Sequence, residues 1–230
     1  SLQTYSGHLD ARSQPISSQY PYAQPLRVLY NLTGQLPDEK GMASMGVYFI
    51  RAEAVAAIGQ AFSTGSLPVE KAVTVIDKNG TKHLARARVG TPVGALLSTF
   101  GIEINDQDKI ILGGPMTGNA IYSEDLPIAP DTDAILVQDK SVIPLYSDYP
   151  CINCGDCVRV CPANVPVNLL VRFLEAGQYA EGADLYDLYA CIECGLCSYV
   201  CVSRIPIYQY IKLAKYELGR IISAEEMNEQ

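Results

Sequence analysis

The stretch CINCGDCVRVCPANVPVNLL, residues 151–170, places four cysteines within eleven residues. A close copy, CIECGLCSYVCVSRIPIYQY, begins forty residues later at Cys191, and the chain has no cysteine outside these two blocks. Aligning the blocks superimposes the cysteines and four further pairs, which are Ile152 with Ile192, Gly155 with Gly195, Val160 with Val200, and Pro166 with Pro206. We therefore expect an internal repeat related by a pseudo-twofold axis.

Both blocks have the spacing C-x2-C-x2-C-x3-C, and Pro162 follows the first block where Val202 follows the second. This spacing is typical of iron–sulfur ligation in which three thiolates hold one cluster and the fourth ligates the other. It predicts one 4Fe–4S cluster on Cys151, Cys154, Cys157 and Cys201. It predicts a second on Cys191, Cys194, Cys197 and Cys161.

Three further positions are predicted to shape the cluster sites. Gly155 and Gly195 occur where the loop must pass close to a cluster, so a Cβ would obstruct it or the backbone needs a positive φ. Pro162 completes the bacterial form of the motif.

Disulfides and structural zinc are the other uses of eight cysteines. Disulfides suit small secreted scaffolds, whereas this sequence opens with no charged and apolar signal segment and has 150 residues before the first cysteine. Structural zinc takes cysteines in pairs with a longer spacer, which leaves no use for the third and fourth cysteines of each block. Iron–sulfur ligation is the interpretation that uses all eight.

The composition excludes other classes of function. The chain has 230 residues, 48% hydrophobic and 18% charged, with a formal net charge of −8, which predicts a globular protein without affinity for nucleic acid. No apolar run approaches the length of a membrane-spanning helix. We expect the cytoplasm as its location, free or peripheral on the inner face of the cytoplasmic membrane, because iron–sulfur proteins need a reducing compartment.

The chain before the cysteines divides into two patterns. Residues 1–25 are rich in Ser, Gln, Tyr and Pro and predict an extended arm, in which His8 is solvated. A short strand at Val47 to Ile50 and an amphipathic helix closed by Gly65 are predicted next. From residue 71, the sequence predicts a hairpin turning at Asn79-Gly80 with His83 on its exposed face, a helix capped by Thr91, and a strand before the structural turn GGPMTG at 113–118.

Around the cysteine blocks the sequence predicts helices. Pro166 and Pro206 are expected to start helices beside the clusters, the first of which ends at Gly177. A further helix through YAEGADLYDLYA is expected to run into Cys191, and the last helix presents apolar residues at helical spacing, which are Ile207, Tyr210, Ile211, Ala214 and Leu218. The predicted fold class is α+β, a β-grasp-like unit followed by a helical domain with two clusters.

The order of these parts, with VTV, VGTPV, GGPMTG and the two cysteine blocks, resembles the C subunit of the Rnf-type ferredoxin:NAD oxidoreductase complex and the related cobalamin reductase. The resemblance runs from about Tyr20 to Leu218. After the arm predicted at 1–25, it implies a remnant of an α/β nucleotide-type domain at 26–70, an SLBB (β-grasp) unit and connector at 71–148, and a ferredoxin-like domain at 149–230. It also implies partners, namely other subunits of a redox complex that includes membrane proteins.

The chain departs from the resemblance at YPYAQPL, residues 20–26, where the family has glycines and charges. Ala23, Gln24, Pro25 and Leu26 replace them, which weighs against binding of FMN and NAD. The sequence therefore predicts an electron-transfer subunit with no catalytic residue of its own. The alternative is the C-terminal part of an NADH-oxidising flavoenzyme, and both a fragment and a shortened relative remain open.

Overall fold

The computed structural model of the chain describes residues 13–36, 42–146 and 149–228. Two hydrophobic cores are present in this part of the chain. One lies in a unit with a five-stranded sheet, and the other lies among helices around the cysteine blocks. The fold is therefore mixed α/β, with the sheet unit before the helical unit of the cysteine blocks in the sequence.

The five strands form one mixed sheet in the order β2-β1-β5-β3-β4. Their bounds are β1 Glu70–Ile76, β2 Lys82–Arg88, β3 Lys109–Leu112, β4 Asn119–Ile121 and β5 Ala134–Gln138. β1 pairs in parallel with β5, and the other pairs are antiparallel. Val73 and Val75 of β1 and Ile135 of β5 are fully buried, because alternate side chains of a strand face the same core.

The predicted hairpin is confirmed, with a longer loop than a two-residue turn. Ile76 pairs with Lys82, so five residues connect the strands, and Asp77 Oδ1 accepts hydrogen bonds from the backbone N–H groups of Asn79 and Thr81. The expectation that His83 is exposed was wrong. Its ring stacks on Phe100, with 4.8 Å between ring centroids, and its side chain is 28% exposed.

The helix after the hairpin, α3 at Val93–Thr99, confirms the predicted element but not its cap. The capping position is Pro92 rather than Thr91. Thr91 follows a turn, in which its N–H donates to the Arg88 carbonyl at 3.0 Å, and its carbonyl accepts a hydrogen bond from Ile128 N–H at 2.8 Å. Val93, Leu96 and Leu97 are buried against the sheet.

Two α-helices precede the sheet in the described part of the chain, with a short 3₁₀ helix at Met42–Met45 between them. α1 spans Pro25–Thr33 and was not predicted, whereas α2 spans Ala52–Thr64 and ends at Gly65 with a positive φ of 69°, as expected. The strand predicted at Val47 to Ile50 was wrong, because no strand is assigned there. α2 buries none of its residues. Glu53 of α2 contacts the sheet unit through an ion pair with the buried Lys71, with 2.6 Å between Oε2 and Nζ, and accepts a hydrogen bond from the Ala72 backbone N–H at 3.3 Å.

The helical part contains α4 Asp156–Arg159, α5 Val167–Glu175, α6 Tyr179–Leu185, α7 Leu196–Val200 and α8 Ile207–Asn228. The predicted helix starts after Pro166 and Pro206 are confirmed, and Gly177 follows α5 with a φ of 73°. The predicted helix into Cys191 is interrupted, since Asp187 has a positive φ of 52° and a short 3₁₀ helix follows at Leu188–Ala190. The core is formed by both repeats and includes Leu170, Leu174, Ile207 and Ile211.

In the described part of the chain, no helix combines the length and hydropathy needed to cross a membrane. The prediction for His8 and the first half of the expected arm lie outside the described residues.

Candidate iron–sulfur site

The two cysteine blocks repeat their backbone conformation as well as their sequence. Positive φ angles occur at three pairs of positions forty residues apart, which are Asn153 and Glu193 at 59° and 56°, Gly155 and Gly195 at 80° and 75°, and Asn164 and Arg204 at 55° and 53°. The left-handed region is costly for residues such as Glu and Arg. Because this unfavourable backbone conformation recurs at equivalent positions, we infer that both loops have the same structural role.

One cavity lies between the blocks on the side of the first. Its walls include three cysteines of the first block, Cys151, Cys154 and Cys157, together with Cys201 of the second. Gly155, Val171 and Ile207 complete much of the lining. About 350 Å³ there is free of protein atoms, part of it open to solvent.

The second cavity is the counterpart of the first. Its walls include Cys191, Cys194 and Cys197 with Cys161 of the first block, and Pro162 and Gly195 lie beside them. Its free space is also about 350 Å³. The structure therefore groups the eight cysteines in the two sets that the sequence predicts. Among the described residues, no three Cys, His, Asp or Glu side chains converge to hold a single metal ion.

Burial makes several of the thiols weak acids. It raises the pKa of Cys157 and of Cys191 to about 11, and that of Cys197 to about 12. Ligation requires the thiolate, and a buried anion needs a positive partner close by. Iron supplies that charge, so buried thiols around a cavity are a donor set suited to an iron–sulfur cluster.

The turn GGPMTG covers the second block. The Met116 carbonyl oxygen lies only 2.5 Å from the point where Gly195 would carry a Cβ. The hydroxyl of Tyr208 donates to the Thr117 carbonyl at 3.3 Å, and Lys212 Nζ donates to Asn119 Oδ1 at 2.8 Å. The sequence identified GGPMTG as a structural turn, and the structure adds that this turn packs on a cysteine loop.

The segment before the sheet covers the second cavity from another side. The Tyr20 hydroxyl donates to the carbonyl of Cys194, and Arg27 Nη1 donates to the Pro162 carbonyl at 3.0 Å. Lys215 of α8 donates to the Cys191 carbonyl at 2.9 Å and to Glu193 at 2.8 Å. Sequence reasoning did not identify Tyr20, Arg27 or Lys215, because the sequence carries no spacing that relates them to the cysteines.

Loss of the Tyr20 and Arg27 contacts should expose the second cavity. In the loaded protein, the double variant Tyr20→Phe with Arg27→Gln should release iron to a chelator several-fold faster, because each hydrogen bond that holds the cover contributes about 1 kcal/mol. The measurement is the rate of chelator-dependent bleaching under anaerobic conditions. Tyr48→Phe, at an exposed tyrosine, is the control. Equal rates in all three proteins would show that this segment does not shield the site.

Comparison with known proteins also indicates iron–sulfur clusters in this part of the chain. Residues 150–205 match the family described as 4Fe–4S dicluster domain. The chain is 32% identical over 172 residues to the C subunit of the ion-translocating oxidoreductase complex of Rhodobacter capsulatus, and the match covers 73% of this chain and 33% of the relative. The C subunits of the same complex from Yersinia enterocolitica and Edwardsiella ictaluri are each 34% identical, over 69% and 75% of this chain and 23% and 22% of theirs. The chain thus spans a third or less of the length of these curated relatives.

Proposed function

The chain is homologous, over 69–75% of its length, to part of the C subunit of ion-translocating oxidoreductase complexes, and from this premise we propose that it is an electron-transfer subunit of such a complex. It relays electrons through two 4Fe–4S clusters between a redox partner and other subunits. The observation that carries the proposal is the pair of cavities, each with three cysteines of one block and one of the other.

The proposed ligands follow the walls of the two cavities. Cys151, Cys154, Cys157 and Cys201 hold the first cluster, and Cys191, Cys194, Cys197 and Cys161 hold the second. When bound, each cluster accepts and donates one electron at a time, at a potential set by its burial and by hydrogen bonds to its sulfur atoms. Crossed ligation would tie the two blocks together, because each cluster would be held by cysteines of both.

The surrounding residues orient and shield the ligands. Gly155 and Gly195 begin α4 and α7 with left-handed backbone, which turns the loops toward the cavities. The Glu193 backbone N–H approaches Cys191 Sγ at 3.4 Å, a contact of the kind that tunes a cluster potential. No side chain is required as an acid or a base, since the reaction moves only electrons.

The division of the rest of the chain is part of the proposal. We assign 71–148 to an SLBB unit that supports the clusters, 149–230 to the two-cluster domain and 26–70 to the remnant of an α/β nucleotide-type domain. The protein acts in the cytoplasm, peripheral to the inner face of the membrane, in contact with other subunits of the complex.

A second candidate function is the C-terminal part of an NADH-oxidising flavoenzyme. The observation in its favour is that the chain spans only 22–33% of the relatives' length. In this case the flavin and the nicotinamide would bind to residues beyond this sequence, and residues 151–210 would keep the same role in electron transfer.

Anaerobic purification with metal and cofactor analysis tests the proposal. We expect about eight iron and eight sulfide atoms per chain, no flavin absorbance, and EPR signals of two interacting reducible clusters. Stoichiometric flavin would favour the flavoenzyme instead. Two or fewer metal atoms, found as zinc, would rule out the cluster assignment.

A further inference from the structure

The two halves of the repeat differ sharply in exposure. Ile152 is 66% exposed, whereas its equivalent Ile192 is 5% exposed. Cys154 is likewise exposed, and its equivalent Cys194 is buried. The backbone conformations of the two loops are nearly identical, so the difference comes from what packs on them.

The way α1 packs on the second cysteine loop indicates what kind of element can pack on the equivalent surface of the first loop. Arg27 of α1 bonds to the Pro162 carbonyl, and Arg27, Tyr30 and Leu36 line one cavity together with Ile192. Under the forty-residue repeat, Pro162 and Ile192 correspond to Val202 and Ile152. Val202 is 61% exposed. The surface equivalent to the one beneath α1 is therefore apolar and bare within the described part of the chain, and we call it the first-loop face, formed by Ile152, Cys154, Val202 and Arg204.

The charge around this face is opposite to that of the whole chain. The cavity of the first block has no charged side chain in its lining. The neighbouring cleft shares Cys201 and has about 1480 Å³ free of protein atoms, part of it open to solvent; it is lined by Lys109 and Arg204 and by no Asp or Glu. Arg204 is exposed and has no ion-pair partner among the described residues. A chain with net charge −8 thus presents a locally positive, apolar surface next to its most exposed cysteine.

We propose that the first-loop face docks a helix of a redox-partner protein, which places an apolar side chain on Ile152 and Val202 and a carboxylate on Arg204. This inference rests on the proposed function, because it assigns the first cluster as the one that exchanges electrons with another protein. The helix takes the position on the first loop that α1 takes on the second. It shields Cys154 from water and brings the partner's redox centre close to the exposed side of the first cluster.

The occupant is a different protein rather than a second copy of this chain. The helix that fits this kind of surface, α1, already lies on the chain's own second cavity through Arg27. The partner helix must also carry a carboxylate to pair with Arg204. α1 of a second copy could not provide it, since α1 contains no acidic residue.

Photocrosslinking in cells tests the docking face. A benzoylphenylalanine at position 152 or 202, in the full chain produced with its native partners, should crosslink to one protein that has its own redox centre. The crosslinked peptide should be helical, with an acidic residue beside apolar ones. The same probe at Leu84, an exposed residue of β2, should give no such product.

Charge reversal provides the second measurement. Arg204→Glu should lower the crosslink yield from position 152 about tenfold, because a like charge then faces the partner's carboxylate. Arg86→Glu, at another exposed arginine, on β2, should leave the yield unchanged. Crosslinks to residues 1–12 of the same chain, to a second copy, or to no protein would each overturn the proposal.

EPR on the purified probe variants separates this inference from the function on which it rests. Two reducible clusters without a partner crosslink would overturn the docking face and leave the relay intact. Clusters that do not form or do not accept electrons would overturn the relay, and the docking face with it.

Discussion

A variant that lacks Cys161 together with the three closely spaced cysteines of the second block should keep one complete cluster, with about four iron atoms per chain. The matched variant lacks Cys201 in place of Cys161 and should keep far less iron. The reason is that the first cavity is lined by Cys151, Cys154, Cys157 and Cys201, so only the first variant retains all four of its ligands. Iron and sulfide analysis of the two alanine variants, purified under anaerobic conditions, makes the comparison.

The pair is controlled internally, because each variant loses four cysteines and both empty the second site. A mirrored pair removes Cys151, Cys154 and Cys157 with either Cys201 or Cys161. There the variant that retains Cys161 should keep the iron, since Cys161 lines the second cavity. If each block instead supplied all four ligands of its own cluster, the ranking within both pairs would reverse.

Substitution of Gly195 by alanine should lower the free energy of unfolding much more than the same substitution at Gly155. Both residues have left-handed backbone, at φ 75° and 80°, so the penalty of about 1–2 kcal/mol for an L-residue in this region is shared. A Cβ at Gly195 would lie 2.5 Å from the backbone carbonyl of Met116. At Gly155 the nearest atom is 3.2 Å away and is the end of the flexible Arg159 side chain.

We therefore expect Gly195→Ala to separate the turn at 113–118 from the second cysteine loop and to lower cluster occupancy, whereas Gly155→Ala should keep both clusters. Hydrogen exchange of peptides from residues 113–118, together with iron content, measures the two effects. Equal exchange and equal iron in the two variants would show that the Met116 contact does not support the site.

Local sequence was sufficient to predict those features that depend on a few neighbouring residues or on the spacing between cysteines. The helix starts after Pro166 and Pro206, the glycine that ends α2, and the hairpin at Asn79-Gly80 each depend on a few neighbouring residues, and each is present in the structure. The sorting of the cysteines into two sets of three plus one could be predicted in the same way, because the x2 and x3 spacings restrict where each thiol can point.

The errors have a common cause. Val47 to Ile50 has the composition of a strand but pairs with no strand among the described residues, and Thr91 lost the capping position to Pro92 because its carbonyl is held by Ile128. His83 reads as an exposed hairpin residue, yet Phe100 from another element packs on it. Each outcome depends on pairing with residues distant in sequence, which Thr91 and His83 make and Val47 to Ile50 does not make in the described part of the chain.

The sequence by itself predicted the grouping of the cysteines around two cavities, the repeat and the left-handed glycines, because these depend on covalent spacing and local backbone sterics. Only the tertiary structure decided that the two halves of the repeat are not equivalent. Tyr20, Arg27 and Met116 come from segments far from the cysteines in sequence and cover the second cavity, whereas Ile152 and Cys154 of the first block stay exposed in the described part of the chain. A twofold sequence pattern cannot encode that difference, since burial depends on which distant segment folds over which half.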